Sequence, residues 1–237
     1  MTEPTTASHW TWHGMRAGAR AMTPLLPGIV AFSLAFGTVA AQKGLSFGES
    51  LVMTATVYAG LSQFVALQTW PDHFTLGEIA ALAAVTMTIN LRFVLMGASL
   101  RPWLGAIPPW QSYPSLALMT DGSWLLALRY RAEGGHDAGF YYGMALLNYV
   151  VWVIAVIPGY FLASSLSDPK TFGIDMIMVA FFAAMLVTVW RGYRRALAWL
   201  VAGCVAVAVN WLFSGWWFIV AGAVAGSVAG GFIDDAD

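Results

Sequence analysis

Charge is scarce in this chain: 10% of its 237 residues are Asp, Glu, Lys or Arg, against roughly a quarter in a soluble domain. So few ionic groups cannot solvate a globular surface. With 59% hydrophobic residues, lipid must cover much of the exterior. Neither sign of charge dominates: eleven Lys plus Arg against twelve Asp plus Glu give a net charge of −1. That leaves no basic surface for nucleic acid. A single cysteine, Cys204, excludes an internal disulfide. No G-x-x-x-x-G-K-[ST] motif exists, since Lys43 and Lys170 both lack the upstream pattern, and nucleotide hydrolysis is excluded with it. No H-E-x-x-H occurs, and His9, His13, His73 and His136 fall in tails or loops. No metal, cofactor or catalytic residue is therefore expected. The opening residues also lack the apolar core of a secretory signal.

What the chain does have is long apolar runs, at about 24–42, 50–69, 76–98, 113–130, 140–165, 172–190, 195–212 and 214–232. A membrane-crossing helix needs roughly 20 apolar residues. The expected fold is thus an all-α polytopic integral membrane bundle of about eight transmembrane helices, some of them broken. Residues 1–23 are expected as a tail with a short interfacial helix over 9–22, residues 24–233 as the transmembrane domain, and residues 234–237 as an acidic tail. Proline and glycine separate the runs at Lys43–Gly44, Pro71, Pro102, Pro108–Pro109, Gly134–Gly135, Pro169, Gly192 and Gly215. Asp121–Gly122 in the middle of the fourth run predicts a broken helix lining a cavity. Pro158–Gly159 predicts a kink or an end in the fifth, and Pro24 and Pro27 a break in the first.

Counting eight spans puts Arg16, Arg20, Arg129, Arg131, Arg191, Arg194 and Arg195 on one side, and Lys43, Arg101 and Lys170 on the other. The positive-inside rule then places both termini in the cytoplasm. An internal echo relates Phe47–Gly48 to Phe172–Gly173. It also relates Asn90 to Asn210, each read as lying near a helix end. Gly222, Gly226 and Gly230 form a ridge of small residues suited to close helix packing.

Polar residues inside apolar runs are costly and mark candidate sites. Thr54, Tyr58 and Ser62 recur at i, i+4 and i+8, which predicts one helix face, with Gln63 beside it. That face lines a polar path or bonds neighbouring helices. Asn90 and Arg92 lie on adjacent faces of the third run. Arg92 either snorkels to the headgroups or binds a substrate carboxylate with its planar fork. Asp121 either titrates in a low-dielectric setting or neutralises Arg92. Asp175, in the first turn of the sixth run, reads mainly as a helix-dipole partner.

The run YAGLSQF (Tyr58–Phe64), the triplet Asn90–Leu91–Arg92, the pair Thr120–Asp121, the glycine-rich stretch Gly28–Ser46 and FGIDMIM (Phe172–Met178) occur in matching order along the chain. Together they resemble AzlC-type branched-chain amino acid permeases. Two positions depart: Phe93 stands where the family commonly has His, and Gly122 where it commonly has Glu. No proton-handling role is carried over to them. The resemblance implies a gradient-driven carrier, not an enzyme, exporting branched-chain or related hydrophobic amino acids across the bacterial inner membrane with a small AzlD-type membrane subunit. Its substrate site would comprise Tyr58, Ser62, Gln63, Asn90, Arg92 and Asp121. Asn90 and Arg92 would take the carboxylate. Tyr58, Ser62 and Gln63 would meet the ammonium or line the path, and Asp121 would bind the ammonium or a coupling proton. The rival readings are a non-transporting scaffold subunit, whose polar residues are interhelical glue, and an intramembrane enzyme, for which only Asp121 is at hand.

Overall fold

The computed structural model describes residues 10–71, 73–165, 183, 190, 192–213 and 217–234. The expected sixth run, with Asp175 and Phe172–Met178, lies outside them apart from residues 183 and 190. Among the described residues all regular structure is helical. α1 (Trp12–Met22) passes through a 3-10 turn (Thr23–Leu25) into α2 (Leu26–Gln42). Then come α3 (Phe47–Thr56), α4 (Gly60–Gln68), α5 (Leu76–Leu104), α6 (Pro109–Ala117), α7 (Asp121–Ala132), α8 (Ala138–Ser165), α9 (Tyr193–Leu212) and α10 (Trp217–Asp234). Three stretches, Trp12–Gln42, Leu76–Leu104 and Ala138–Ala163, are long and apolar enough to cross a membrane.

α1–α2 and α8 lie side by side and run parallel. Asp137 ties their starts together: its carboxylate accepts from the amides of Thr11 (3.0 Å) and Gly139 (2.8 Å) and from the Thr11 hydroxyl. Glycines then bring the two backbones into contact. A Cβ on Gly18 would overlap the Phe140 carbonyl, and one on Gly143 the Met15 carbonyl. Further along, Gly37 meets Val156 and Gly159 meets Leu34 in the same reciprocal way, in a register three residues shorter. Ser33 and Thr38 add hydroxyl bonds to the Trp152 and Gly159 carbonyls (2.5 and 2.9 Å). α8 does not end at Pro158–Gly159, where an end or a kink was expected. The helix continues to Ser165, and the Thr38 hydroxyl of the neighbouring helix bonds the Gly159 carbonyl next to the proline.

The second run departs most from expectation. Thr54, Tyr58 and Ser62 do not share one helix, because α3 ends at Thr56 and α4 begins at Gly60. The β-branched Thr54, Thr56 and Val57, followed by Gly60, are weak helix formers. Moreover, α4 turns back along α3. Tyr160 bonds the Leu45 carbonyl at the start of the hairpin and Tyr149 the Ala55 carbonyl near its tip. Beyond the tip, Phe64 stacks on Phe32 and Leu67 packs with Ala40 and Leu45. Gln63 Nε2 reaches across to the Met53 carbonyl at 3.0 Å.

The fourth run is broken, as its Asp-Gly predicts, and it also doubles back. α7 leaves the tip beside Arg92 of α5, passes Ser99 through Trp124 and ends with Tyr130 against Trp103 and Phe140. α3–α4 and α6–α7 are thus two half-helix hairpins entering from opposite ends of the bundle, with tips at Val57–Ala59 and Leu118–Thr120. Because each returns to its own end, Arg101 lies with Arg129 and Arg131, opposite Lys43. That corrects its expected side and sharpens the charge bias. Capping boxes at Ser46/Glu49 and Thr75/Glu78 start α3 and α5 at the Lys43 end.

α9 and α10 form an antiparallel pair. Gly222 and Gly226 rest on Ala202 and Ala206 or Ala198, and Gly230 approaches Ala198, so the small-residue ridge is a packing seam. Asn210 is exposed near the end of α9, whereas Asn90 sits in the middle of α5 and not near a helix end. The echo between these two residues therefore has no shared setting. Gly18→Ala should lower stability in detergent by about 1–3 kcal/mol through overpacking. Gly203→Ala, whose new methyl meets nothing within 4 Å, should be neutral or stabilising by up to about 1 kcal/mol. Comparing the two thermal transitions checks the backbone contact.

Candidate functional site

The two hairpin tips lie at one depth, against the middles of α5 and α8. On α5, Asn90 faces one tip and Arg92 the other. On α8, the neighbours Tyr149 and Asn148 divide in the same way. Each tip is a place where the backbone leaves the helix inside the bundle, so its polar groups must find partners there.

At the first tip, α4 begins after Ala59, which has no side chain to cap it. The first amides of α4 thus start without an intrahelical partner, and the positive end of the helix dipole points into the bundle. Ser62 is buried; its hydroxyl donates to the Ala59 carbonyl (2.9 Å) and accepts from Asn90 Nδ2 (3.2 Å). Gln63 is fully buried, with Nε2 on the Met53 carbonyl. The Tyr58 ring meets Tyr149 edge-on at 5.1 Å.

At the second tip, Thr120 caps α7 and accepts from Asn148 Nδ2 (3.0 Å). Asp121 opens the helix. Its carboxylate holds Arg92 Nη2 at 3.1 Å, with the two side chains 31% and 23% exposed for Arg92 and Asp121 respectively. The Arg92 guanidinium thus pairs with this acid, the structural partner also expected for Asp121. Its Cζ also lies 5.1 Å from the Phe93 ring centre. The departure from His to Phe at position 93 thus supplies an aromatic face to the cation.

All six sequence-derived candidates gather at these tips. Four of them carry a buried polar atom with no protein partner: Tyr58 Oη, Gln63 Oε1, Asn90 Oδ1 and Arg92 Nε. A buried unpaired group costs about 1–3 kcal/mol, so four in one neighbourhood call for a polar occupant. Donors and acceptors are both represented, which suits a zwitterion. Among the described residues no three His, Cys, Asp or Glu side chains gather as a metal site would need. Beside Ser62 and Asn90, a partly open recess of about 570 Å³ lies between α4 and α5, lined mainly by Leu61, Val65, Leu82, Val85, Ile89 and Phe218, with Gln68, Thr69 and Glu78 also in its wall. Sequence reasoning missed Asn148 and Tyr149. An Asn inside the run Ala145–Trp152 was the available signal, since intramembrane amides are rare.

The family model described as "AzlC protein" matches residues 24–166. The chain is 26% identical over 213 residues to the "Branched-chain amino acid transport protein AzlC" of Bacillus subtilis (strain 168), covering 88% of this chain and 81% of that one. An "Uncharacterized membrane protein" of Helicobacter pylori (strain J99 / ATCC 700824) is 25% identical over 174 residues, 73% of this chain and 75% of its own. No solved structure matches.

The Arg92–Asp121 contact has a direct test. Arg92→Gln or Asp121→Asn alone leaves a half-buried charge unpaired and should cost about 1–3 kcal/mol, less than a fully buried pair because both groups keep some solvent. The double substitution should restore at least about 0.5 kcal/mol relative to the summed singles. Strict additivity in chemical unfolding would mean that the two groups are not coupled.

Proposed function

The chain belongs to the AzlC family, and from that premise we propose that it is a gradient-driven carrier exporting branched-chain or related hydrophobic amino acids. The supporting observation is that two helices break at one depth beside unpaired buried polar atoms, with a mainly apolar recess alongside. Half-helix ends near mid-membrane are where carriers bind charged solutes, because freed amides and carbonyls replace water.

The geometry shifts the roles within the site. Arg92 is already engaged with Asp121, so the open α4 terminus and the Tyr58 hydroxyl are the better carboxylate partners, with Arg92 Nε as a further donor. Asn90 Oδ1 and Gln63 Oε1 accept from the ammonium, which also competes with Arg92 for Asp121. The recess behind Leu61 and Ile89 takes a Leu- or Val-sized side chain. In this reading the basic end bearing Arg101, Arg129 and Arg131 faces the cytoplasm with both termini, in the bacterial inner membrane, and a small AzlD-type subunit assembles with the chain.

Reconstitution with and without such a subunit, followed by counterflow of labelled leucine, methionine and a polar control, tests the proposal. Leucine and methionine should exchange and the polar control should not. Tyr58→Phe and Asp121→Asn should each slow exchange about 10- to 100-fold, the cost of a lost bond to a charged group. Absence of leucine exchange in both preparations would favour a scaffold whose buried amides only join helices.

A further inference from the structure

α3–α4 and α6–α7 are the same device built twice, in opposite directions. Each follows a long helix, enters for nine or ten residues, breaks, and returns to its own end. A long helix then crosses the bundle, α5 with 29 residues and α8 with 28. At each tip a serine in the first turn of the return helix donates back to the tip carbonyl: Ser62 to Ala59 at 2.9 Å, and Ser123 to Thr120 at 3.0 Å. At each tip an Asn from the following long helix donates to a hydroxyl of the hairpin. Asn90 reaches Ser62 and Asn148 reaches Thr120, and both pairs are 28 residues apart in the chain.

We propose that the two hairpins are opposed gates, α3–α4 closing the path toward the Lys43 end and α6–α7 toward the Arg101 end, with Asn90 and Asn148 as their latches. This rests on the transport reading above. Two inverted copies can exchange conformations, so opening one gate while holding the other gives access from alternate sides. A latch of one neutral hydrogen bond biases such an equilibrium without locking it. The copies differ in charge. Asp121 opens α7, whereas Gly60 opens α4, so the Arg92–Asp121 bond fastens the α6–α7 gate alone. The resting carrier therefore opens first at the Lys43 end. A cytoplasmic solute whose ammonium draws the partly exposed Asp121 from Arg92 releases the second gate and loads the site for export.

The test uses single reporter cysteines at Val57 or Leu118 in a Cys204→Ser background, in sealed vesicles of both orientations labelled with a membrane-impermeant maleimide. Asn90→Ala should raise labelling about fivefold from the Lys43 side, and Asn148→Ala or Arg92→Gln from the Arg101 side. Cysteine pairs at 62 and 90, or at 120 and 148, provide locks should the alanine variants fold poorly. Each cross-link should block labelling from its own side and reverse on reduction. Variants or locks that act equally from both sides, or both on one side, overturn the gates. Labelling needs no solute, so this failure can be told from failure of counterflow, which would sink the transport reading instead.

Discussion

Hydrocarbon offers no partner to a backbone amide, and the interior of this chain is organised by that single constraint. A helix satisfies its own backbone groups; a break at mid-depth does not, and each unmet group costs several kcal/mol. Among the described residues there are two such breaks, and polar side chains gather around them. Ser62, Thr120 and Ser123 turn their hydroxyls on the broken backbone, and Asn90 and Asn148 fasten those hydroxyls to the long helices. The polar residues and the breaks are therefore one feature. A break without them would be unstable, and such residues on unbroken helices would have less to do.

The bonding is incomplete in a patterned way. Thr120 and Asp121 cap and charge the second tip, while Ala59 and Gly60 leave the first bare. Arg92 spends one nitrogen on Asp121 and keeps Nε free, and Asn90 spends its amide nitrogen on Ser62 and keeps its oxygen free. Each group is thus held in place by one bond while another valence stays available. That combination fixes geometry in advance of binding, which reduces the ordering cost a ligand must meet.

Composition and the length of the apolar runs together made the all-helical membrane class legible, and Asp121–Gly122 announced the second break because a charge and a glycine together defeat a lipid-facing helix. The first break was hidden. Thr54, Tyr58 and Ser62 satisfy the helical period whether or not the helix continues, so periodicity reported one face where the chain has two half-helices. Reversal was hidden for a related reason: a run of about 20 apolar residues suits a span and a folded hairpin equally. The side assigned to Arg101 failed with it. Arg92 and Asp121 were paired as one of two alternatives, since unlike charges in hydrocarbon seek each other. Asn148 escaped because it stands alone among apolar neighbours, with no second polar residue at helical spacing to draw attention to it.

The two kinds of contact in the bundle separate what is fixed from what can move. α1–α2 and α8 meet through Gly18, Gly37, Gly143 and Gly159, where carbonyls of one helix fill the space a side chain would take on the other. Close backbone packing of this kind has few alternative arrangements, because any slide meets a steric wall. The hairpin arms pack on the long helices through Phe64, Leu67 and Tyr130, but their tips are held by single hydrogen bonds and one partly exposed ion pair, interactions that exchange partners at small cost. A solute can compete with a hydrogen bond for its donor, whereas it cannot compete with a glycine seam. Motion driven by binding must therefore pass through the tips, and the frame they move against is the helix pair sealed by glycine.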